Sequence, residues 1–213
     1  MMYNIIGTGS KGNAVVIGGM ILVDCGVPFR QIRPCAKDLS VVLLTHIHGD
    51  HFKPQALLAL HSERPTLRFG APMHMAEPLV ATGIPARQID VYEANGTRYD
   101  YGAFALSAFP LPHNVPNCGY KLEINGKRIL YATDTNAMEH VEAKGFDLYM
   151  LEANYTESDI VERIKAKQAA GQYCYEWDVL QNHLSLEKAN NWLYGQMGPK
   201  SEYVFIHQHE GSG

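Results

Sequence analysis

The sequence lacks the features of disulfide-rich and membrane-spanning proteins. Its only four cysteines are widely scattered, with no Cys-x-x-Cys pair. This spacing gives no sign of a disulfide framework or a thiolate zinc site. No apolar run approaches the roughly 20 residues of a membrane span. No basic region precedes the first apolar residues, so we expect no signal peptide. We therefore expect a cytoplasmic protein with no membrane partner.

The sequence also lacks an excess of positive charge. Eighteen Lys and Arg residues stand against 22 Asp and Glu residues, for a formal net charge of −4. This balance argues against tight, nonspecific binding of a long polyanion. It does not exclude a nuclease, because bound divalent cations would add positive charge at the site itself. The length of 213 residues predicts one domain spanning residues 1–213, and a homodimer is the default expectation for its assembly.

Histidine, in contrast, is abundant, and three of the ten histidines lie within the segment Thr45–His51. This segment follows the apolar run Val41–Leu44, which predicts a short buried strand. His46 and His48 are two residues apart, so in an extended segment both side chains point to one side and can bind one ion. Neutral imidazole and carboxylate suit Zn, Mn or Fe. We therefore interpret the segment as part of a metal site, rather than as a polar loop that happens to contain histidine.

Polar side chains also follow three later predicted strands, and these are His113, Asp134 and His207. Side chains that are far apart in sequence meet most easily at a shared edge of a layered sheet structure. With the first cluster they supply enough imidazole and carboxylate groups for two ions bridged by one carboxylate. The strand before His207 is followed by a second histidine, His209, which is an alternative last ligand.

These motifs resemble those of a known superfamily. The run Thr-His-Ile-His-Gly-Asp-His, followed by His113, by Tyr-Ala-Thr-Asp134 and by a late histidine after a strand, is similar to the metallo-β-lactamase superfamily. The N-terminal Gly-Thr-Gly-Ser-Lys-Gly-Asn, Leu-Val-Asp-Cys-Gly and Pro-Asn-Cys-Gly-Tyr resemble the YycJ/WalJ-type hydrolases, whose relatives include the phosphodiesterase PhnP and tRNase Z. The resemblance implies an α/β (α+β) fold, the four-layer αββα metallo-β-lactamase sandwich.

The resemblance further implies two divalent metal ions, zinc in the first place and manganese as the alternative. The implied ligands are His46, His48 and His113 for the first ion, Asp50, His51 and His207 for the second, and Asp134 as the bridge. A metal-bridging hydroxide would attack the substrate, and Asp50 is counted with the catalytic residues. The implied activity is hydrolysis of phosphodiester bonds in a nucleic acid or a small diester, as in a DNA exonuclease.

His183 is the residue that favours phosphodiester chemistry. The element His183-Leu184-Ser185 precedes the last predicted helix and resembles an element of the phosphodiesterase branches. The resemblance implies that this histidine binds no metal directly but aids the phosphate or protonates the leaving oxygen, which suits a side chain with a near-neutral pKa. The alternative is a histidine that helps to cap the helix.

Other interpretations stay open at this stage. The glycine-rich loop Gly7–Asn13 could approach an anion or form a hairpin turn. Asp24, after the predicted strand Ile21–Val23, could orient a ligand histidine or cap a turn. For the whole chain, the alternatives are a hydrolase of thioesters or lactones on the same fold and a metal-binding subunit without catalysis.

Overall fold

The computed structural model describes residues 2–208, and the chain divides into two compact units between Thr97 and Arg98. Each unit contains one six-stranded sheet with its own helices. Among the described residues, no helix is long and apolar enough to cross a membrane.

The first unit contains a sheet in which the strands are arranged in chain order. The strands are β1 (Tyr3–Gly7), β2 (Ala14–Ile17), β3 (Ile21–Val23), β4 (Val41–Leu43), β5 (Arg68–Pro72) and β6 (Ile89–Tyr92). The pairs β1–β2 and β2–β3 are antiparallel, and the pairs from β3 to β6 are parallel. The glycine-rich loop therefore joins two antiparallel neighbours, as expected for a hairpin. In the parallel part, β3 and β4 end at the same edge of the sheet.

Helices cover one face of this sheet. They are α1 (Phe29–Ile32), α2 (Pro54–Glu63) and α3 (Ala76–Ala81), with 3-10 turns at Ala36–Asp38, Met73–Met75 and Ala86–Gln88. Leu57 and Leu60 of α2 belong to one apolar cluster with Val42 of β4 and Phe69 of β5. Helix α1 begins only at Phe29, because Pro28 stays in an extended conformation before it.

The second unit contains a sheet with the strand order β12-β11-β10-β9-β8-β7. The strands are β7 (Arg98–Asp100), β8 (Phe104–Leu111), β9 (Asn117–Ile124), β10 (Lys127–Ala132), β11 (Leu148–Glu152) and β12 (Glu202–Ile206). Strands β7 to β10 form antiparallel pairs. The Asn125-Gly126 turn between β9 and β10 has positive φ at both residues, as a type I′ turn requires. The pairs β10–β11 and β11–β12 are parallel, so these three strands end at one edge.

Three helices complete the second unit: α4 (Glu157–Ala169), α5 (Glu176–Asn182) and α6 (Leu186–Gln196). The Thr156 side chain caps α4 and the Ser185 side chain caps α6, each accepting a hydrogen bond from a backbone N–H three residues later. Helix α5 was not predicted, because it is only seven residues long, about two helical turns. It delivers His183 at its C-terminal end.

Candidate metal centre

The histidine-rich loop of the first unit follows β4 directly. His46 and His51 are fully buried, and their ring centroids lie 4.2 Å apart. The Nε2 atom of His46 lies 3.1 Å from Nδ1 of His48. Two nitrogens that bind one zinc ion tetrahedrally, each at about 2.0–2.1 Å, have roughly this separation. The geometry of the loop therefore fits a metal ion held by the two imidazoles.

Asp24 and Thr45 orient two of these imidazoles. An oxygen of Asp24 lies 2.7 Å from Nδ1 of His51, and Thr45 donates both its backbone N–H and its hydroxyl to Asp24. The Thr45 oxygen lies 2.9 Å from Nδ1 of His46. With each Nδ1–H engaged in this way, the Nε2 atoms of His46 and His51 carry the lone pairs that a metal needs. The Nε2 atom of His51 also lies 2.8 Å from the side-chain amide nitrogen of Asn13. Of the two roles considered for Asp24, the structure therefore shows the orienting contact with a histidine.

Asn13 and Gly26 hold the loop at Asp50. The backbone N–H of Asn13 donates to the Asp50 carbonyl over 2.6 Å, and its side-chain amide lies 3.2 Å from an Asp50 carboxylate oxygen. A Cβ atom on Gly26 would lie only 1.7 Å from the Asp50 carbonyl oxygen. Gly26 is therefore required for close approach of the two backbones. Gly49, in the histidine-rich loop, does not have positive φ, and a Cβ atom there would have no neighbour within 4 Å.

In the second unit, three imidazoles surround one oxygen of Asp134. Asp134 Oδ1 lies 3.6 Å from His207 Nε2, 3.8 Å from His183 Nδ1 and 3.9 Å from His113 Nε2. The other oxygen, Oδ2, accepts a hydrogen bond from the Thr133 hydroxyl. The Nδ1 atom of His113 lies 3.1 Å from the carbonyl of Asn182, the last residue of α5. Asp134 Oδ1 therefore faces the Nε2 atoms of His113 and His207, the two candidate ligands among these three histidines.

Glu152, at the end of β11, connects two of these histidines. Its Oε1 lies 2.6 Å from Nδ1 of His183 and 3.2 Å from Nδ1 of His207, whose ring stacks on that of His183. Its Oε2 accepts the backbone N–H groups of Thr135 and Leu184. Glu152 itself is fully buried. The carboxylate therefore holds the His183 and His207 rings in one orientation.

The ion pair determines the protonation of His183. Burial alone lowers the pKa of His183, but the charge and the hydrogen bond of Glu152 outweigh burial and raise that pKa above its ordinary value. Burial raises the pKa of Glu152, yet His183 and His207 lower it overall. Ionised Glu152 thus favours the protonated form of His183, and an imidazole in that form can donate a proton. The side chain of His183 is 18% exposed, against 5% for His207 and 2% for His113.

Three of these polar residues adopt a backbone conformation that is rare outside glycine. Among the described residues, four non-glycine residues have φ between 51° and 61°, and three of them follow strands at the site: Asp24, Asp134 and His207. Each such residue costs on the order of 1–3 kcal/mol. Strain of this kind persists where surrounding contacts over-determine the conformation, and it is concentrated at functional sites.

The structure thus places the predicted residues in two sets, with His46, His48, Asp50 and His51 on one loop and His113, Asp134, His183 and His207 around Asp134 Oδ1. His209 lies outside the described residues. Sequence reasoning missed Glu152 and Asn13. Glu152 carried a usable signal, because it follows the apolar run Leu148–Leu151 in the same way that Asp134 follows β10. Asn13 gave no such signal, because its partner Asp50 is 37 residues away.

Comparison with known proteins identifies the family. Residues 20–207 match the family described as "Beta-lactamase superfamily domain". The chain belongs to this superfamily. Exodeoxyribonuclease YycJ of Bacillus anthracis is 24% identical over 198 residues, which cover 86% of this chain and 70% of the relative. The resemblance to YycJ-type hydrolases is therefore confirmed, and the chain is related to hydrolases of this superfamily.

Solved structures confirm the mixed α/β metallo-β-lactamase fold. The metallo-β-lactamase fold protein YhfI of Bacillus subtilis has a TM-score of 0.73 and 16% identity, covering 98% of this chain and 86% of that one. The short form of human tRNase Z has a TM-score of 0.71 and 18% identity, covering 99% and 93%. The fold implies divalent-metal binding, and the His and Asp side chains of the two sets have the donor chemistry that such an ion takes.

Proposed function

We propose that this protein is a metal-dependent hydrolase of phosphodiester bonds, of the nuclease type, acting on DNA as an exonuclease or on a small diester. The single observation that carries the proposal is the pair His183–Glu152, with its 2.6 Å contact beside Asp134. Ester cleavage at phosphorus expels an alkoxide, which needs a proton, and a histidine with a raised pKa is a suitable donor. The relationship to exodeoxyribonuclease YycJ supports the same reaction class.

We propose further that the two sets of residues belong to one hydrolase domain, since the family match runs through both units. Its ligands would be His46, His48 and His113 for one ion, Asp50, His51 and His207 for another, and Asp134 for both. Zinc is the first candidate and manganese the second. Bound divalent ions would supply Lewis-acid stabilisation and lower the pKa of the attacking water. Asp50, which contacts Asn13, would also act in catalysis by positioning that water.

The chain's own residues would do the remaining work. Asp24, Thr45 and Glu152 fix the imidazole tautomers before any ligand arrives. His183 holds its proton at Nδ1 against Glu152, and its exposed ring edge is available to the substrate. The proton on the other ring nitrogen, Nε2, is delivered to the leaving oxygen and completes the cleavage. Glu152 stabilises the ring while it is charged. We propose the cytoplasm as the location.

The proposal is tested by offering the purified protein, loaded with zinc or with manganese, three substrates: bis-p-nitrophenyl phosphate, end-labelled DNA and a panel of lactones and thioesters. We expect cleavage of the diester and stepwise shortening of the DNA. Turnover of lactones or thioesters without diester cleavage would instead support the carbonyl-hydrolase alternative. Metal binding without turnover of any of the three would support a non-catalytic subunit.

A variant separates catalysis from metal binding. We expect His183→Ala to keep its metal content, measured by mass spectrometry of the metals, while diester hydrolysis falls about 10²–10⁴-fold, the contribution of a general acid. Asp134→Ala is the reference, and we expect it to lose metal. Loss of metal from His183→Ala would show that His183 is a ligand and would refute the proposed role.

A further inference from the structure

Two buried asparagines contact the strained residues of the second unit. The side-chain amide of Asn117 donates to the carbonyls of Thr133 and Asp134 over 2.9 and 2.7 Å. The side-chain amide of Asn154 donates to the carbonyl of His207 over 2.9 Å. Both asparagines are at least nine-tenths buried. Each therefore contacts the backbone of a residue with left-handed φ that is a proposed metal ligand.

The orientation of both amides is fixed by their partners. Carbonyl oxygens only accept hydrogen bonds, so the nitrogen of each amide must face them. The opposite atom, Oδ1, is buried in both asparagines and has no hydrogen-bond partner among the described residues. Leaving a buried acceptor unsatisfied is costly. An apolar side chain would fill the same space without this cost. The presence of asparagine therefore indicates that its N–H donor is required.

The hydrogen bonds from Asn117 and Asn154 hold the backbone carbonyls of Asp134 and His207, and this backbone sets the direction of the two side chains. In the left-handed conformation, the Asp134 and His207 side chains leave their strand ends toward the group around Asp134 Oδ1, where His207 Nε2 lies 3.6 Å from that oxygen. An extended conformation would turn both side chains away. A hydrogen bond to the carbonyl of the strained residue opposes that change directly, because the carbonyl rotates with the backbone.

We infer that Asn117 and Asn154 are positioning residues that hold Asp134 and His207 in their metal-binding conformation before the metal arrives. The inference rests on the proposed function, since it takes Asp134 and His207 as ligands. It assigns to both asparagines a role in metal affinity rather than in the chemical step. Neither residue contacts the ion or the substrate in this role.

Gln88 provides a matched control. It is buried, its amide donates to the carbonyl of Pro65, and its Oε1 also has no partner among the described residues. It ends the 3-10 turn that precedes β6 in the first unit, and it contacts no proposed ligand. Gln88→Ala therefore loses the same kind of hydrogen bond as Asn117→Ala and Asn154→Ala, without loosening a ligand.

The experiment measures zinc affinity by competition with a chromogenic chelator, and thermal unfolding of the same full-length proteins in EDTA. We expect Asn117→Ala and Asn154→Ala to bind zinc about 10–100-fold more weakly, as for other residues that orient ligands, while Gln88→Ala binds like the original protein. In EDTA, we expect the three variants to unfold at similar temperatures. Asn117→Ser and Asn154→Ser, which keep a small polar side chain, replace any alanine variant that fails to fold.

Two results would overturn the inference. One is a zinc affinity of both asparagine variants within twofold of the original protein. The other is a loss of affinity matched by Gln88→Ala, which would indicate general destabilisation. Asp134→Ala and His207→Ala separate this inference from the proposed function. If they lose zinc while the asparagine variants do not, only the positioning role fails. If they retain zinc, the proposed metal site fails as well.

Discussion

At the scale of residues, the main feature of the site is the hydrogen bonding of each histidine ring, which decides which ring nitrogen can bind a metal. Four of the five proposed ligand histidines have Nδ1 engaged by a neighbour from the same unit: His46 by Thr45, His51 by Asp24, His113 by the Asn182 carbonyl and His207 by Glu152. The hydrogen bond on one nitrogen decides which nitrogen keeps a lone pair. These contacts favour the tautomer with the proton on Nδ1, and the lone pair on Nε2 is then the one that would bind the proposed metal. His48 is the exception, because its Nδ1 faces His46.

Asp24→Asn tests this orientation in the first unit. Asparagine tolerates the left-handed conformation at this position, but it lacks the charge that faces His51. We expect zinc affinity to fall about 10–100-fold with little change in unfolding temperature in EDTA. Asp90→Asn, which removes a carboxylate paired with Arg68, is the control and should keep zinc affinity. Equal affinities for the two variants would contradict the orienting role of Asp24.

Glu152→Gln tests whether Glu152 and His183 act as one unit. The substitution keeps the shape but removes the charge that raises the pKa of His183, so less of the protonated donor is present near neutral pH. We expect each single variant, Glu152→Gln and His183→Ala, to lower diester hydrolysis about 10²–10⁴-fold. The double variant should be no slower than the slower single variant, because residues that act as a unit are not additive.

Additive losses in that double-mutant cycle would mean that the two residues act independently. Glu123→Gln serves as the control, since it neutralises an exposed acid on β9 that pairs with Arg98. We expect its hydrolysis rate to match that of the original protein.

At the scale of elements, parallel strands bring polar residues together. Strands β3 and β4 end at one edge of the first sheet, which places Asp24 beside Thr45. Strands β10, β11 and β12 do the same for Asp134, Glu152 and His207 in the second unit. Helix α5 adds His183 from outside the sheet. Each element thus contributes one polar residue at its end, and the loops there set the final geometry.

Gly26→Ala tests the close approach of the backbone at Gly26 to the backbone at Asp50 in the first unit. The added Cβ atom would overlap the Asp50 carbonyl, so the histidine-rich loop must move. We expect a loss of unfolding free energy of at least about 1–3 kcal/mol, as for overpacked sites, together with weaker zinc binding. Gly49→Ala, in the same loop and with open space around its Cβ position, should change neither. The measurement is urea denaturation with parallel metal titration, and equal behaviour of the two variants would contradict the structure.

At the scale of the whole molecule, the proposed function assigns ligands to both units, and it predicts that metal binding stabilises the whole chain. A ligand present at 100 times its dissociation constant stabilises the folded state by about 2.7 kcal/mol. For a chain of this length, each kcal/mol raises the unfolding temperature by about 2–4 °C. Residues 20–207, which match one family, include both sets of candidate residues.

Metal removal tests this coupling. We expect calorimetric unfolding in EDTA to occur about 5–11 °C below unfolding in zinc at 100 times the dissociation constant. His46→Ala from the first unit and Asp134→Ala from the second should each lose most of this difference. If either variant kept the full difference, ligands of its unit would not contribute to the stabilising metal.

The sequence by itself determined the histidine-rich loop and most of the strand ends, because these depend on local patterns. Its resemblance to the metallo-β-lactamase superfamily implied the fold class. Val41–Leu44 is apolar and β-branched enough to predict a strand, and the Asn125-Gly126 turn predicts a hairpin. The roles of Asp24 and of the glycine-rich loop stayed open, because each residue type fits two local structures equally well.

Only the tertiary structure decided which groups surround the candidate ligands. Glu152 lies 31 residues from His183 and 55 from His207, and Asn117 lies 17 residues from Asp134. No local period connects such residues, since their contacts arise from parallel strand pairing and from the left-handed turns at the strand ends. Gly26 is a similar case. The requirement for glycine at this position arises from the close approach of the Asp50 backbone, which the sequence does not show.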